Sequence, residues 1–478
     1  MFFDSITFLV FFAVAFAAFW LVFSRSKSRR NGFLLLTSYV FYGWWDWRFL
    51  SLIFISSMVD FILGKAIEKS GEPRVRKQLL LVSLLVNLGI LGAFKYYNFF
   101  IDSLDVLLAY VGTSAAAAHI DVVLPVGISF YTFQTLSYTL DISRGRMKAV
   151  HDPIQFFTFV AFFPQLVAGP IERARDLLPQ FGDEHPGFKV DAARSGLLLA
   201  LWGMFKKVVV ADRLGTVVDA TFTASDELGA NYAALGLLCF AGQLYLDFSS
   251  YSDIARGISR MLGYRLSENF KRPYFASSFS DFWKRWHITL SSWFRDYLYI
   301  PMGGNRGSRV RVGLNVMVVF LVSGLWHGAS WSFVIWGGLN GLFLVVVDPL
   351  LVQALRGLGK FGRGVAAVVV TAFWTLSLSY FRAQTLDQAH DMLGALLFKE
   401  GRIPTELVHF PWRLTIGLVI FVLFIELIQE RREQGVELVL NSPRAVRWSV
   451  YLSLCMAIVL LGAYGVDVTD QEFIYFQF

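Results

Sequence analysis

Cysteine is nearly missing from this chain of 478 residues. Only Cys239 and Cys455 are present, each inside an apolar run. That usage excludes a disulfide framework and a cysteine metal site, and reads as two small buried hydrophobes. Charge is scarce too, at 17% of residues, where a soluble domain carries about 25%. No P-loop, GxSxG or HExxH pattern occurs, so the common signatures for P-loop nucleotide binding, serine hydrolysis and zinc proteolysis are absent. Internal repeats, low-complexity tracts and an extramembrane domain are also lacking. The paired repeats of many transporters are therefore not visible.

What the chain has is apolar length. It is 55% hydrophobic, with 47 Phe and 14 Trp, and its mean hydropathy is +0.53. The runs are longer than the roughly ten alternating residues of a barrel strand, so they predict helices. The expected fold is an all-α polytopic membrane protein, a single domain over 1–478 with a core at about 120–350. A net charge of +7 fits basic cytoplasmic loops better than a nucleic-acid partner.

Residues 6–23 form a first apolar run, and Arg25, Lys27, Arg29 and Arg30 follow it. Basic residues after the run rather than before it predict an uncleaved span with its N-terminus outside. FYGWWDWRF reads as an interfacial turn inside 32–64, and TSAAAAHI (113–120) as a short outer loop. The polar helix 124–141 predicts a re-entrant or centrally packed segment. Glu172, Arg173, Arg175 and Asp176 predict an amphipathic interfacial helix, and the run 193–211 a span ending at Lys206 and Lys207. Further spans fit 231–252, 310–326, 329–350, 363–380, 413–428 and 448–465. The total is roughly ten to twelve spanning or re-entrant helices, at about 20 residues per span.

One segment resists this scheme. Residues 253–311 hold eleven Lys or Arg against four Asp or Glu, yet are thick with aromatics. The charge predicts the cytoplasmic side, and the aromatics predict short helices folded into the membrane face. His287 lies in this segment and His327 at the end of the next apolar run, each directly after a tryptophan, Trp286 or Trp326. A neutral imidazole suits proton abstraction near pH 7, and an ionisable group at membrane depth is costly without a task. Either histidine also suits a plain hydrogen-bonded helix interface. Two histidines forty positions apart make a poor metal site. His119, His151, His185, His390 and His409 read as structural. Asp247 and Asn269 are second-tier polar candidates. Lys271, Arg272, Lys284, Arg285, Arg295 and Arg306 read as topology determinants or as contacts to a phosphorylated donor at the cytoplasmic mouth. GGNRG (303–307) is a weak candidate anion nest.

The stretches PQLVAGPIER, LYLDFSSYSDIARG, NFKRPYFASSFSDFWKRWHITLSSWFRDYLYIPMGGNR and SGLWHGASWSFVIWG together resemble the membrane-bound O-acyltransferase superfamily. The likeness is greatest to its bacterial branch, typified by the alginate O-acetyltransferase membrane subunit. The teichoic-acid D-alanyl transferases are more distant. The resemblance implies a ring of tilted transmembrane and re-entrant helices around a central tunnel. It implies His327 as catalytic base, with His287 as the second histidine. Trp286, Trp326, Asp247, Asn269, Lys284, Arg285 and Arg295 are then donor or tunnel candidates. It implies no permanent cofactor and no metal, with acetyl-CoA or another acyl thioester as co-substrate at the cytoplasmic face. Location in the bacterial inner membrane follows, with periplasmic acetyltransferase partners and a polysaccharide such as alginate as acceptor. Teichoic acid, peptidoglycan or cellulose are alternative acceptors. A transporter of the acyl donor without chemistry, or a scaffold for a soluble transferase, are the competing readings.

Overall fold

In a computed structural model, the described residues are 1–113, 119–120, 123–182, 185, 187–397, 401–432, 435–464 and 473–474. Most of the expected outer loop at 113–120 and of the aromatic tail after Ile474 lies outside them. Among the described residues the regular structure is helical, with one isolated bridge between Leu228 and Arg402. Eight helical stretches are long and apolar enough to cross a membrane. Two of these, Lys27–Lys69 and Trp331–Arg382, run to 43 and 52 residues, about twice the length one crossing needs. The chain is an all-α polytopic membrane protein.

The chain divides into two compact units, Met1–Gly196 with Ile258–Ser267, and Leu197–Gly257 with Glu268–Phe478. In the first unit, helices Lys27–Asp46 and Leu50–Lys69 flank a short turn at Trp47–Phe49, where Trp44 and Trp47 are exposed. The tryptophan turn thus forms as its sequence suggests. Helix Ile128–Ser143 buries fourteen of its sixteen residues, which is the centrally packed helix that its polar side chains called for. Its Thr139 meets Ser83 at 3.0 Å, and Ser83 donates to buried Asp60, which also accepts from Asn87. These bonds answer the cost of polar groups in an apolar surround. The helix expected near Glu172 starts later, at Ala174. The helical turn Ala174–Leu177 runs on into a 3-10 turn, Leu178–Phe181, and Glu172 and Arg173 lie ahead of it and are buried. Glu172 accepts from the Ser267 hydroxyl at 2.9 Å, so internal bonding replaces solvent.

In the second unit, the chain does not stop at Lys206 and Lys207. Helix Val190–Met204 continues through a wider turn, Phe205–Ala211, into Asp212–Thr223. Both lysines are buried and neutralised inside the fold, so they are not a polar end. Helices Arg309–His327 and Trp331–Leu342 pack backbone to backbone. A side chain at Gly324 would run into the Phe333 carbonyl, and one at Gly337 into the Phe320 carbonyl. Small residues at such crossings let helices approach closely. Gly328 is extended, and the aromatic ring of Phe333 fills the place a β-carbon would take there. The first helix therefore ends on His327.

Candidate active site

His287 is placed by two strands of irregular chain that clasp each other. The Lys271 N–H donates to the Arg285 carbonyl, and the Ile288 N–H to the Asn269 carbonyl, each at 2.9 Å. Between these rungs His287 takes a left-handed conformation, φ 41°, uncommon for a residue with a β-carbon. Strain of this kind persists only where surroundings over-determine it, and clusters at functional sites. Helix Phe279–Arg285 precedes it. That helix is started by Asp348, whose carboxylate accepts from the Phe279 and Ser280 N–H groups at 2.7 and 3.1 Å, an anion placed on a helix N-terminus.

The imidazole is held by Asn269. His287 Nδ1 lies 3.2 Å from Asn269 Oδ1, which also accepts from the Thr289 N–H at 3.2 Å and the Thr289 hydroxyl at 2.8 Å. A backbone N–H only donates, so the amide atom it meets is oxygen, and Nδ1 carries the proton. The ring's lone pair is then on Nε2. His287 lies outside the spanning stretches, and burial pushes its imidazole down to about 3. Desolvation disfavours the charged ring, which stays neutral at ordinary pH.

His327 arrives from the other side, at the end of its helix. The two imidazole ring centres are 6.4 Å apart. Trp326 lies 4.9 Å from His327 and 6.1 Å from His287, and Phe248 4.7 Å from His287. Trp336 and Phe381 complete the aromatic surround of His327, at 5.2 and 5.3 Å. Both histidines are buried. Two histidines within one aromatic enclosure form a site suited to moving a proton away from water.

Of the sequence candidates, the structure brings together His327, His287, Asn269 and Trp326. Trp286 stacks on Phe282 and packs at a tilt on Trp374, and Phe270 lies between it and His287. Asp247 is buried one residue from Phe248. It forms an ion pair with Lys207 at 2.9 Å and accepts the Ile474 N–H at 2.8 Å. Phe473, beside it, packs on Phe248 and Tyr251. Arg285 bonds Asp281 and Glu430. Lys284 is exposed, and so is Arg295, which is paired with Asp296. His119, His151, His390 and His409 are exposed. His185 contacts the Leu262 carbonyl and the Trp20 ring. Among the described residues no cluster of metal-ligand type occurs. Sequence reasoning passed over Trp336, Phe381 and Thr289, because an aromatic residue or a threonine in an apolar helix looks like packing.

A model of the membrane-bound O-acyltransferase family matches residues 128–353, the interval that holds both histidines. The chain is 40% identical over 400 residues to the protein named "Probable alginate O-acetylase AlgI" of Azotobacter vinelandii, covering 83% of this chain and 78% of that one. This chain belongs to the membrane-bound O-acyltransferase family. It is an O-acyltransferase and a multi-pass membrane protein. The Pseudomonas aeruginosa protein of the same name is 40% identical over 399 residues, 83% of this chain and 75% of that one. The peptidoglycan O-acetyltransferase of Helicobacter pylori is 33% identical over 393 residues, 77% and 74%.

Proposed function

We propose that this acyltransferase takes acetyl from cytoplasmic acetyl-CoA and passes it through the inner membrane to O-acetylate an exported polysaccharide such as alginate. Support for the acceptor is the 40% identity to alginate O-acetylases over most of the chain. Similarity to a peptidoglycan O-acetyltransferase keeps peptidoglycan as the second acceptor. A D-alanyl or other acyl group would use the same chemistry. Periplasmic acetyltransferase partners would complete delivery to the polymer. The basic residues that follow the first span support an N-terminus outside.

The observation that carries the mechanism is the meeting of His287 and His327 in one buried aromatic enclosure. His327 acts as general base. It takes the proton of an acceptor hydroxyl while the hydroxyl oxygen bonds to the thioester carbonyl carbon. The carbonyl electron pair moves onto oxygen. Collapse of this intermediate expels the thiolate of coenzyme A, which recovers the proton from the His327 imidazolium. Base assistance of this kind typically contributes about 10²–10⁴-fold. His287, fixed as the Nδ1–H tautomer by Asn269, orients the acceptor hydroxyl or the His327 ring. The basic segment 253–311 supplies the cytoplasmic mouth for the donor. The test is His327→Ala in the producing strain. Polymer acetylation is lost while the protein still accumulates in the membrane. Normal acetylation in that variant ends the proposal.

A further inference from the structure

The acyl-transfer step needs a donor for the oxygen that becomes negative. Trp336 is 1% exposed, and its indole N–H meets no acceptor among the described residues. An indole nitrogen only donates, and a buried one ordinarily finds a partner. Two half-buried tryptophans of this chain do find one. Trp20 donates to the Met261 carbonyl at 3.0 Å, and Trp412 to the Leu407 carbonyl at 3.3 Å. Trp283 also meets no acceptor among the described residues, whereas the Trp374 indole faces the Tyr274 hydroxyl. Trp336 differs from them in its place, because its ring meets that of His327 at 5.2 Å, edge to face at 89°.

The surroundings of Trp336 are otherwise apolar rings. Phe381 lies at 5.0 Å, Trp374 at 6.0 Å and Trp283 at 6.2 Å. The nearby Asn340 amide does not satisfy the indole. It donates to the Trp336 backbone carbonyl at 2.7 Å and so ties the backbone of this helix. Gly337, the next residue, seats the helix against the Phe320 carbonyl. The indole is thus rigid, dry and next to the histidine that would act as base. A fixed donor in a water-poor site beside developing charge is the arrangement that stabilises an oxyanion.

The geometry points to Trp336 as a catalytic residue whose Nε1–H binds the thioester oxygen as it takes up negative charge. The inference rests on the acyl-transfer reading above. As the acceptor oxygen bonds to carbon and its proton passes to His327, the carbonyl π pair moves to oxygen and is met by the indole N–H. The pair returns when the carbon–sulfur bond breaks, and the N–H is released unchanged. No proton leaves the indole at any step.

The test separates the N–H from the ring. Replace Trp336 by the isosteric benzothienylalanine, which keeps the bicyclic shape and carries sulfur in place of the N–H. Make Trp336→Phe and His327→Ala alongside it. Incorporation of labelled acetyl from acetyl-CoA into polymer is measured in membrane vesicles of the producing strain, normalised to enzyme present. The expected result for the benzothienyl protein is normal accumulation, an unchanged donor KM and a kcat lower by about 10²–10³-fold. Trp336→Phe loses at least as much. A benzothienyl protein with kcat within about threefold of the unmodified enzyme, or with a loss confined to KM, overturns the assignment, since single oxyanion donors are worth far more. So does a defect in Trp336→Phe that the benzothienyl ring rescues. Activity retained in His327→Ala sinks the acyl-transfer mechanism itself, a distinct outcome.

Discussion

Asn269 Oδ1 and His287 Nδ1 stand 3.2 Å apart, and the same oxygen takes two further hydrogen bonds from Thr289. One amide thereby sets both the tautomer and the tilt of a buried imidazole. Asn269→Asp keeps the shape and adds a negative charge beside the ring. A carboxylate at that distance favours imidazolium, so the His287 pKa rises from about 3. The acid limb of the pH–rate profile then moves to higher pH, because Nε2 becomes protonated sooner. The same histidine links stability to pH. Its folded pKa lies below the unfolded value of about 6.5, so the unfolded chain binds a proton that the folded chain refuses. Its contribution is fully kept above about pH 6.5 and is lost on acidification towards about 3. Thermal unfolding in detergent across pH 4–7 checks this, and His287→Gln is expected to flatten the dependence.

Lys207 Nζ sits 2.9 Å from both Asp212 and Asp247, and all three residues are buried. Removing one partner of a buried pair typically costs about 3–5 kcal/mol. Asp247→Ala should fall at the low end, since Asp212 still balances the lysine. It also releases the Ile474 N–H, and with it the Phe473 ring from Phe248, whose ring also meets that of His287. Asp247→Ala is therefore expected to lower both the unfolding midpoint and kcat. Asp247→Asn, which retains an acceptor for Ile474, should recover most of the activity but not all of the stability. Equal losses in the two variants would contradict this account.

Gly324 and Gly337 give a prediction about position rather than charge. Gly324→Ala puts a methyl against the Phe333 carbonyl. Backbone cannot yield as a side-chain tip does, so the two helices separate. Overpacking of this sort costs about 1–3 kcal/mol. His327 ends the displaced helix, so transacetylation falls more steeply than the amount of folded protein. Gly89→Ala is the control, because nothing lies within 4 Å of a β-carbon there, and it is expected to be silent in both measurements.

How much of this was legible beforehand depended on range. Long apolar runs and basic loops are local, and they placed the spans at Ile6–Phe23, Arg309–His327 and Trp412–Arg432 close to where they fall. The tryptophan–histidine pairs were legible as candidates. Their meeting was not, because it depends on Asn269 clasping the turn and on Gly324 admitting a neighbouring helix. Charge misled where partners were distant in sequence. Lys206 and Lys207 looked like a helix end, but Asp253 and Asp247 neutralise them across more than one helix. Glu172 looked solvated, but Ser267 answers it. A polar residue announces a need, and sequence alone does not say whether water or a remote side chain meets it.

Arg285 shows the same ambiguity at the basic mouth and yields the last prediction. Its guanidinium bonds Asp281 at 3.1 Å and Glu430 at 2.7 Å, while Arg272 bonds the other oxygen of Glu430 at 2.8 Å. An arginine with two edges committed to carboxylates has little left for a phosphate. Among the described residues the exposed Lys284 forms no ion pair. Arg285→Ala is therefore expected to lower the unfolding midpoint while leaving donor KM nearly unchanged. Lys284→Ala should raise donor KM with normal stability, and more so at low salt. In a double-mutant cycle, Arg285→Ala and Glu430→Ala should couple by about 0.5–3 kcal/mol in unfolding, as contacting residues do. A raised donor KM in Arg285→Ala with an unchanged midpoint would reverse the assignment. In that case the donor phosphates displace Glu430, and the carboxylate occupies their place in the unliganded enzyme.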